Sequence, residues 1–549
     1  MEIIQTIKKF FKGEVYADEK TLEEYSHDAS VFEVRPEMVA YPNDIEDIKN
    51  LVSFVSKEKN SGKDISITAR AAGTGMSGGS LNTSIILDVT KHIDRIKDMS
   101  AERVILEPGV MCRDLDKEMY RVECTLPSCP ASRNICALGG MVANNAGGEK
   151  TLNYGSTEQF VDEIKMVLRD GNEYTFGPLT KQELEKKMKQ DDFEGEIYRN
   201  VWGLIEKNLE TIKQAKPNVS KNTAGYLIWN VWDGEIFNLA KLFVGSQGTL
   251  GIISEITMRL TKPKPYSTLV VIPLTTFEGL GELVNKVLKH NPESFESYDD
   301  HTLSIAMKFL PNMSGNMAKS MIKVGFSLLP LIFGARFGKL PKIVLLAEFG
   351  DDTQEGAEQK AKAMQKELDE MKVSSKLVLK PGEASRYWTI RRESFNLLRH
   401  HTKHGRTAPF IDDIIVKPTD LPEFLPRLSK IMDKYDLTYT IAGHIGDANF
   451  HIMPIMDFTK PEAKEIFENL TKEVFTLVFE FGGSMAGEHN DGIVRTPFLK
   501  QMYGEKVYSI FEKIKDIFDP ENIFNPGKKV DGTWKYALDH LDTSKQESK

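Results

Sequence analysis

The sequence predicts an α+β protein of at least two domains, and three observations lead there. The chain has 549 residues, more than a single hydrophobic core usually organises. Runs with period-two apolar residues alternate with runs of helical period along its length. Pro263 and Pro265, in TKPKPYS, punctuate the chain near its middle and place a domain boundary at 264/265. Composition fits a folded globular chain: 40% apolar, 28% charged, 40 Gly and 24 Pro, which excludes collagen-like, disordered and disulfide-scaffold classes.

Taken in order, the opening MEIIQTIKKFFKGEV has Lys8, Lys9 and Lys12 among its apolar residues, so it lacks the unbroken apolar core of a signal peptide. After MVAYPND, the run DIEDIKNLVSFVSKEK reads as an amphipathic helix with an acidic start. DISITARAAG reads as a strand running into glycines, SIILDVT and RVILEPG as short strands, and CRDLDKEMYR as a short helix. Residues 139–155 are rich in Gly and Asn and show no helical period, and KLFVGSQGTLGIISEITMRL is a turn leading into a strand. Past the boundary come a strand (STLVVIPL), a helix (TTFEGLGELVNKVLKH), a strand (PKIVLLAEFG) and two helices (TQEGAEQKAKAMQKELDEM, PTDLPEFLPRLSKIMDKY). YTIAGHIGDANFHIMPI reads as two strands around a tight Gly-Asp-Ala turn, and PEAKEIFENLTKEVFTLVFEFGG as a helix stopped by glycine. The polar tail 528–549, after DIFDPENIFNPGKK, is expected to be disordered.

Charge and cysteine usage narrow the function classes. A net charge of −9 argues against a nucleic-acid partner, which needs a basic surface. Cys112, Cys124, Cys129 and Cys136 contain no C-x-x-C pair, so they fit neither a zinc ribbon nor the common ferredoxin patterns and read as reduced cysteines of a cytoplasmic protein. No segment is long enough to span a bilayer as a helix. From His301 to Ala347, however, six basic residues and no acid accompany Met307, Met313, Met317, Met321, Phe326, Leu328, Leu331 and Phe333. This basic apolar insert (301–347) suits either an anionic lipid surface, as a peripheral contact at the inner face of the membrane, or an internal helical hairpin broken at Pro330.

Four motifs carry chemistry. In Arg70–Ser80, four glycines follow a strand with Thr74, Ser77 and Ser80 between them; bare backbone N–H groups and hydroxyls suit a diphosphate, although an ordinary Gly-rich turn looks the same. Leu138–Gly148 and Val244–Ile253 are two further Gly-rich stretches, and three in one domain point to a large cofactor. The most specific signal is HIGDANFH, with His444 and His451 either side of a tight turn, followed 37 residues later by Glu488-His489-Asn490-Asp491-Gly492. Two imidazoles and a carboxylate form a plausible site for zinc or another divalent ion, with His489 left for proton transfer. Histidines that cap loops or fill a core are the alternative.

RAAGTGMSGG, LPSCPASRNICALGGMVANNAGG, YGS, VGSQGTLGIISEITMRL, HIGDANFH, GEHNDG and FDPENIFNPGK stand in the order seen in FAD-linked oxidases of the vanillyl-alcohol-oxidase type. Over residues 20–530 the chain resembles their D-lactate dehydrogenase, glycolate oxidase large subunit and D-2-hydroxyglutarate dehydrogenase branch. The resemblance implies a two-lobed FAD-binding domain of PCMH type over 1–264 and a ferredoxin-like α+β substrate domain over 265–527. It implies that Ala71, Ala72, Gly73, Thr74, Gly75, Ser77 and Gly78 hold the FAD diphosphate. Pro130, Ser132, Gly139, Gly140 and Asn145 would line the adenine and isoalloxazine sides, and Gly251, Ile252, Ile253 and Asn525 would reach the flavin. His444, His451 and Glu488 match metal ligands, zinc being the metal expected, His489 the catalytic base, and Asn449 a substrate contact. Arg391 would grip the substrate carboxylate, with Arg392 leaving the register open by one.

Two departures refine the expectation. Thr74 stands where covalent relatives carry histidine, so FAD is expected to be non-covalent. Ile411 stands where the hydroxyglutarate enzymes place a lysine for the second carboxylate, which favours D-lactate or glycolate. The expected activity is flavin-dependent oxidation of a D-2-hydroxy acid to the 2-keto acid, with electrons passing to a quinone, cytochrome or other acceptor, in a homodimer. The rivals are a non-redox enzyme like alkyl-dihydroxyacetone-phosphate synthase and a flavin-bearing subunit of a larger redox complex.

Overall fold

The computed structural model describes residues 2–309, 341–400 and 405–544. The lipid-surface expectation for 301–347 falls mainly on residues outside these. No helix among the described residues is long and apolar enough to cross a membrane.

The fold is α+β. The first sheet has the order Glu14–Tyr16, Met38–Tyr41, Ile85–Asp88, Ile67–Arg70, and its last three strands are parallel. Helix Ile45–Asn60 forms the crossover between the second and the edge strand. Asp44 caps its N-terminus by accepting from the Asp47 N–H, acids fill the first turn and lysines the last. Ile48, Leu51, Val52 and Val55 recur at helical spacing and bury against Ile67, Ile85 and Leu87, a burial worth about 1.5–3 kcal/mol per side chain. A second, wholly antiparallel sheet runs Ile96–Met99, Arg103–Leu106, Ile252–Arg259, Val161–Val167, Glu173–Phe176. Two of the three Gly-rich stretches lie at the ends of strands in these sheets, Arg70–Ser80 after Ile67–Arg70 and Val244–Ile253 running into Ile252–Arg259. Against the sequence expectation, Leu138–Asn144 is helical despite Gly139 and Gly140, and it ends on Asn145 in the left-handed region. Gly139 is required there: a Cβ would lie 2.8 Å from the Pro108 carbonyl oxygen and 2.6 Å from Pro108 Cβ.

The third sheet is antiparallel and has eight strands, ordered Lys376–Val378, Tyr266–Leu274, Ile343–Asp351, Ser294–Asp299, Tyr439–His444, Asn449–Met456, Arg406–Thr407, with Ile414–Ile415 also paired to Asn449–Met456. One face packs helices Leu421–Met432 and Ala463–Glu480. The other carries Tyr298 and Ala442 beneath Tyr387, Trp388 and Ile390 of helix Pro381–His400.

The chain then returns to its beginning. Val507, Ile510, Phe511, Ile514 and Phe518, from helix Leu499–Phe518, join the core of the second sheet. Buried Lys515 pairs with Asp519 and donates to the Thr249 and Phe524 carbonyls. The tail differs from the expected disorder up to residue 544: Thr533 caps helix Trp534–Asp539, and Trp534 stacks on Phe467 at 5.3 Å between ring centroids. Three apolar residues, Trp534, Ala537 and Leu541, give this stretch a face to bury.

Candidate active site

The tight turn expected in HIGDANFH forms as Ile445–Asp447, closed by Ala448 in the left-handed region. In the register of its two strands, His444 faces Asn449 and Ala442 faces His451. His444 and His451 are therefore diagonal neighbours on one face of the sheet, with ring centroids 5.2 Å apart. The neighbouring strand Ser294–Asp299 sets Glu296 beside His444, where His444 Nδ1 donates to Glu296 Oε1 at 2.5 Å.

Glu488 and His489 arrive on a loop held by Asp413, a left-handed residue whose carboxylate accepts from the backbone N–H groups of Glu488 (2.8 Å) and His489 (2.6 Å). Their side chains diverge. Glu488 Oε1 lies 3.1 Å from His444 Nε2 and pairs with Lys221. His489 Nδ1 donates to Asp412 Oδ2 at 2.5 Å, and His451 Nδ1 donates to Asp412 Oδ1 at 3.1 Å. The rings of His451 and His489 stack at 5.0 Å. Asp412 thus fixes two imidazoles by their Nδ1 atoms and leaves each Nε2 free to face elsewhere.

Electrostatics follows from this packing. Burial alone would lower the proton affinity of His444, but Glu296 and Glu488 outweigh it and lift its pKa to about 9. His489 rises to about 9 likewise, burial being outweighed by Asp412 and Asp413. For His451 burial wins over Asp412, and the pKa falls. Glu488 is held well below the usual carboxylate range because His444 and Lys221 overcome its burial. Burial opposes the Lys221 charge, yet Glu488 and Asp447 keep that charge in place. The neighbouring carboxylates thus favour the charged form of His444 and His489, whereas burial favours the neutral form of His451.

The Gly-rich stretches meet beside this cluster. Gly140 abuts Ala71, Gly75 abuts Asn144, and Gly79 abuts Gln247. Gln247 donates through Nε2 to Asn144 Oδ1 (3.2 Å), and its backbone N–H donates to the Ala143 carbonyl (2.9 Å). The Glu488–Gly492 loop is tied to the same stretches. Asn490 donates to the Asn144 and Gly245 carbonyls, Gly492 N–H to Gln247 Oε1, and Ser77 Oγ to the His489 carbonyl. Gly147 approaches Glu488 so closely that a Cβ would stand 3.0 Å from its Oε1. Gly73 and Gly78 occupy the left-handed region that the tight loop requires. Three bare backbones side by side form a cradle of the kind a flat dinucleotide cofactor fills.

The expected site residues take different places within this frame. Arg391, not Arg392, faces the cluster: its Nε donates to Glu296 at 3.0 Å, whereas Arg392 is half exposed and pairs with Glu149. The amide of Asn525 is engaged by protein, donating to the Gly79 and Gln247 carbonyls and accepting from Thr68, so it joins two cofactor stretches to each other. Asn449 donates to Asp413 and the Ile414 carbonyl, while its Oδ1 is buried without a partner among the described residues. Pro130 sits against Gly148, and Ser132 holds the Cys136 N–H through its carbonyl. Gly251, Ile252 and Ile253 open the strand Ile252–Arg259. Thr74 and Ala72 are half-buried in the first loop.

Sequence reasoning missed Lys221, Glu296 and the carrying role of Asp412. Lys221 sits in no recognisable motif. Glu296 was detectable only as a charge within an otherwise strand-like run, and its meaning depends on strand pairing. His444, His451 and Glu488 offer donor atoms within 4.8 Å of one another, a His–His–carboxylate set of the type that suits zinc. With both Nδ1 atoms anchored by carboxylates, the residues fit a divalent ion, subject to Lys221 already holding Glu488.

Residues 36–177 match the FAD binding domain family, and residues 263–529 match the FAD linked oxidases, C-terminal domain family. The chain is 26% identical over 527 residues to a D-2-hydroxyglutarate dehydrogenase of Pseudomonas putida, covering 94% of this chain and 50% of that protein. It thus spans about half the length of that relative. It is 25% identical to the glycolate oxidase subunit GlcD of Bacillus subtilis, covering 92% of this chain and 91% of that one, and 26% identical to a D-lactate dehydrogenase of Archaeoglobus fulgidus, covering 90% and 91%. Among solved structures, 4-ethylphenol oxidase from Gulosibacter chungangensis superposes with a TM-score of 0.67 at 14% identity, covering 97% of this chain and 98% of that one. Alkyldihydroxyacetonephosphate synthase superposes at 0.64 and 14%, covering 96% and 84%; both likenesses establish the fold. With a FAD binding domain followed by a FAD linked oxidases C-terminal domain, together covering most of its length, the chain belongs to the FAD-linked oxidases.

Proposed function

We propose that the protein oxidises a D-2-hydroxy acid to the 2-keto acid. The observation that carries this reading is the loop Glu488–Gly492, which is hydrogen-bonded to the cofactor cradle while His489 is aimed by Asp412. Bound FAD would supply the two-electron acceptor for the hydride leaving Cα. His444, His451 and Glu488 would hold a zinc-type ion, whose chemistry is to polarise the substrate's carboxylate and hydroxyl oxygens. Arg391 binds the substrate carboxylate. Asn449 Oδ1 accepts from a substrate donor. His489 takes the hydroxyl proton at Nε2, and the resulting imidazolium is stabilised by Asp412. His489 must therefore be neutral before each turnover.

The side chain of Ile411 is buried in the apolar core and puts no cation at that position, which supports a mono-carboxylate such as D-lactate or glycolate over a dicarboxylate. The deciding experiment is a panel of D- and L-2-hydroxy acids with a dye acceptor. A D-mono-carboxylate should give the highest kcat/KM; bleaching by D-2-hydroxyglutarate alone would shift the substrate class, and no turnover of any member would refute the reaction. Thr74 in the diphosphate loop supports non-covalent FAD, so acid precipitation should leave the yellow colour in the supernatant rather than the pellet.

A second reading keeps the same chemistry within a larger redox assembly. It is favoured by one relative's being a subunit and by the chain's matching half of longer relatives. A protein that reduces its flavin in a single turnover but needs another polypeptide to pass electrons on would bear it out.

A further inference from the structure

We infer that Lys221 and a divalent cation compete for Glu488, and that Asp447 is the partner to which Lys221 moves when the cation binds. The inference rests on the His444–His451–Glu488 reading above. Lys221 comes from the loop after helix Leu209–Ala215, outside the sheet that carries the histidines. Its side chain is 2% exposed and its ammonium is in contact with Glu488 Oε1. The same oxygen lies 3.1 Å from His444 Nε2, so one carboxylate oxygen already serves two nitrogen groups. A cation held by Glu488 and the two imidazoles would stand about 2.0–2.2 Å from its ligand atoms. That places two positive charges side by side in a poorly hydrated site, where repulsion is strong.

The ammonium cannot retreat to water, because the side chain is buried. The structure offers one alternative: Asp447 Oδ2 lies 3.4 Å from Lys221 Nζ, too far for a good hydrogen bond and near enough to become one with a small side-chain rotation. Asp447 belongs to the Ile445–Asp447 turn between the two histidine strands, so the second position is part of the same framework. Lys221 is thus a positioning residue with two carboxylates and one charge. On Glu488 it keeps the cation-free site neutralised; on Asp447 it leaves Glu488 to the cation.

The test uses metal-depleted, FAD-loaded protein titrated with Zn²⁺ against a chromophoric chelator. Lys221→Met removes the competing charge and should tighten Zn²⁺ binding by about tenfold or more, a difference of about 1.4 kcal/mol per decade. Lys221→Arg keeps the charge and should stay near wild type. Asp447→Asn removes the alternative partner and should weaken Zn²⁺ binding several-fold, while Lys221→Met/Asp447→Asn should follow Lys221→Met. Should Lys221→Met fail to fold, Lys221→Gln carries the same prediction. Equal or weaker Zn²⁺ binding in the charge-removed variant, with wild-type binding abolished by His451→Gln, overturns the competition and leaves the ligand set standing. Wild-type Zn²⁺ binding that survives His451→Gln, or that is absent in every variant, overturns the ligand set and the competition with it.

Discussion

Replacing Asp412 with Asn tests the catalytic geometry at its most connected residue. Asp412 is fully buried and accepts from His489 Nδ1 at 2.5 Å and from His451 Nδ1 at 3.1 Å. Burial would raise its pKa, but the two imidazoles overcome this and keep it ionised. An amide of the same shape offers one acceptor and one donor, so it satisfies only one of the two Nδ1–H groups. If the amide nitrogen faces His489, the ring must move its proton to Nε2, the atom needed as base. Charge-assisted hydrogen bonds are worth about 1.5–3 kcal/mol each, and loss of an oriented general base costs about 10²–10⁴ in rate. Flavin reduction in anaerobic single-turnover mixing with D-lactate should slow by that range, with FAD content and circular dichroism unchanged. Because Asp412 also anchors His451, Asp412→Asn/His489→Asn should be slower than His489→Asn alone but by less than the product of the two single losses, since both changes act in part through the His489 ring. Reduction within a factor of ten of wild type, or additive losses in the double variant, would refute the assignment.

Three further outcomes follow from the same structure. Glu488→Gln should lower bound metal, whereas His489→Asn should retain metal and FAD yet lose most flavin reduction; the reverse pattern in metal analysis and stopped-flow would exchange ligand and base. Gly148→Ala should depress the Tm of the apoprotein, since its Cβ would lie 2.2 Å from the Cys129 carbonyl oxygen, an overpacking cost of about 1–3 kcal/mol. Gly75→Ala, whose Cβ would meet nothing nearer than 3.7 Å, should leave the apo Tm alone and weaken FAD binding. Burial pushes Lys528 down to about 8, only partly offset by Asp28, so the unfolded chain binds more protons than the folded one between pH 8 and its ordinary 10.5. The penalty, about 3 kcal/mol, is fully present below pH 8 and relieved as pH rises to 10.5. Urea unfolding across that window should give wild type a steeper rise in stability than Lys528→Met, and equal slopes would contradict it.

Much of the site was legible because its signals are local. HIGDANFH contains its own turn, and the parity of two strands puts both histidines on one face without further information. The adjacency of Glu488 and His489 likewise gave their divergence. What stayed hidden depends on contacts between distant segments. Lys221 meets Glu488 across 267 positions and Glu296 meets His444 across 148, and nothing in the local pattern of VSKNTAG or SFESYD reports those partners. The helix Leu138–Asn144 was missed because two glycines lower its intrinsic propensity; packing against the Pro108 segment overrides that. The ordered tail was missed because a polar average concealed Trp534, Ala537 and Leu541 at helix-compatible spacing.

The connections of the Glu488–Gly492 loop explain why chemistry can be shared between two halves of the chain. Its backbone is tied to the Gly-rich stretches through Ser77 and Gln247, the Asn490 side chain adds bonds to the Asn144 and Gly245 carbonyls, and the side chains of His489 and Glu488 meet Asp412 and His444 on the side of the third sheet. Asn525 adds a second tie by clamping Gly79 to Gln247 from the C-terminal return. In the proposed reaction the base must stand within about 3 Å of the proton it removes, while the FAD that would take the hydride would be held by the other half. A loop hydrogen-bonded on both sides holds these two requirements in one frame. Asp413 completes that frame: in a left-handed conformation few non-glycine residues adopt, its one carboxylate binds the backbone N–H groups of Glu488 and His489 together and also accepts from Asn449. Glu488, His489 and Asn449, the proposed ligand, base and substrate contact, are therefore positioned by a single residue in the left-handed region, and that conformation is sustained by the hydrogen bonds it makes with them.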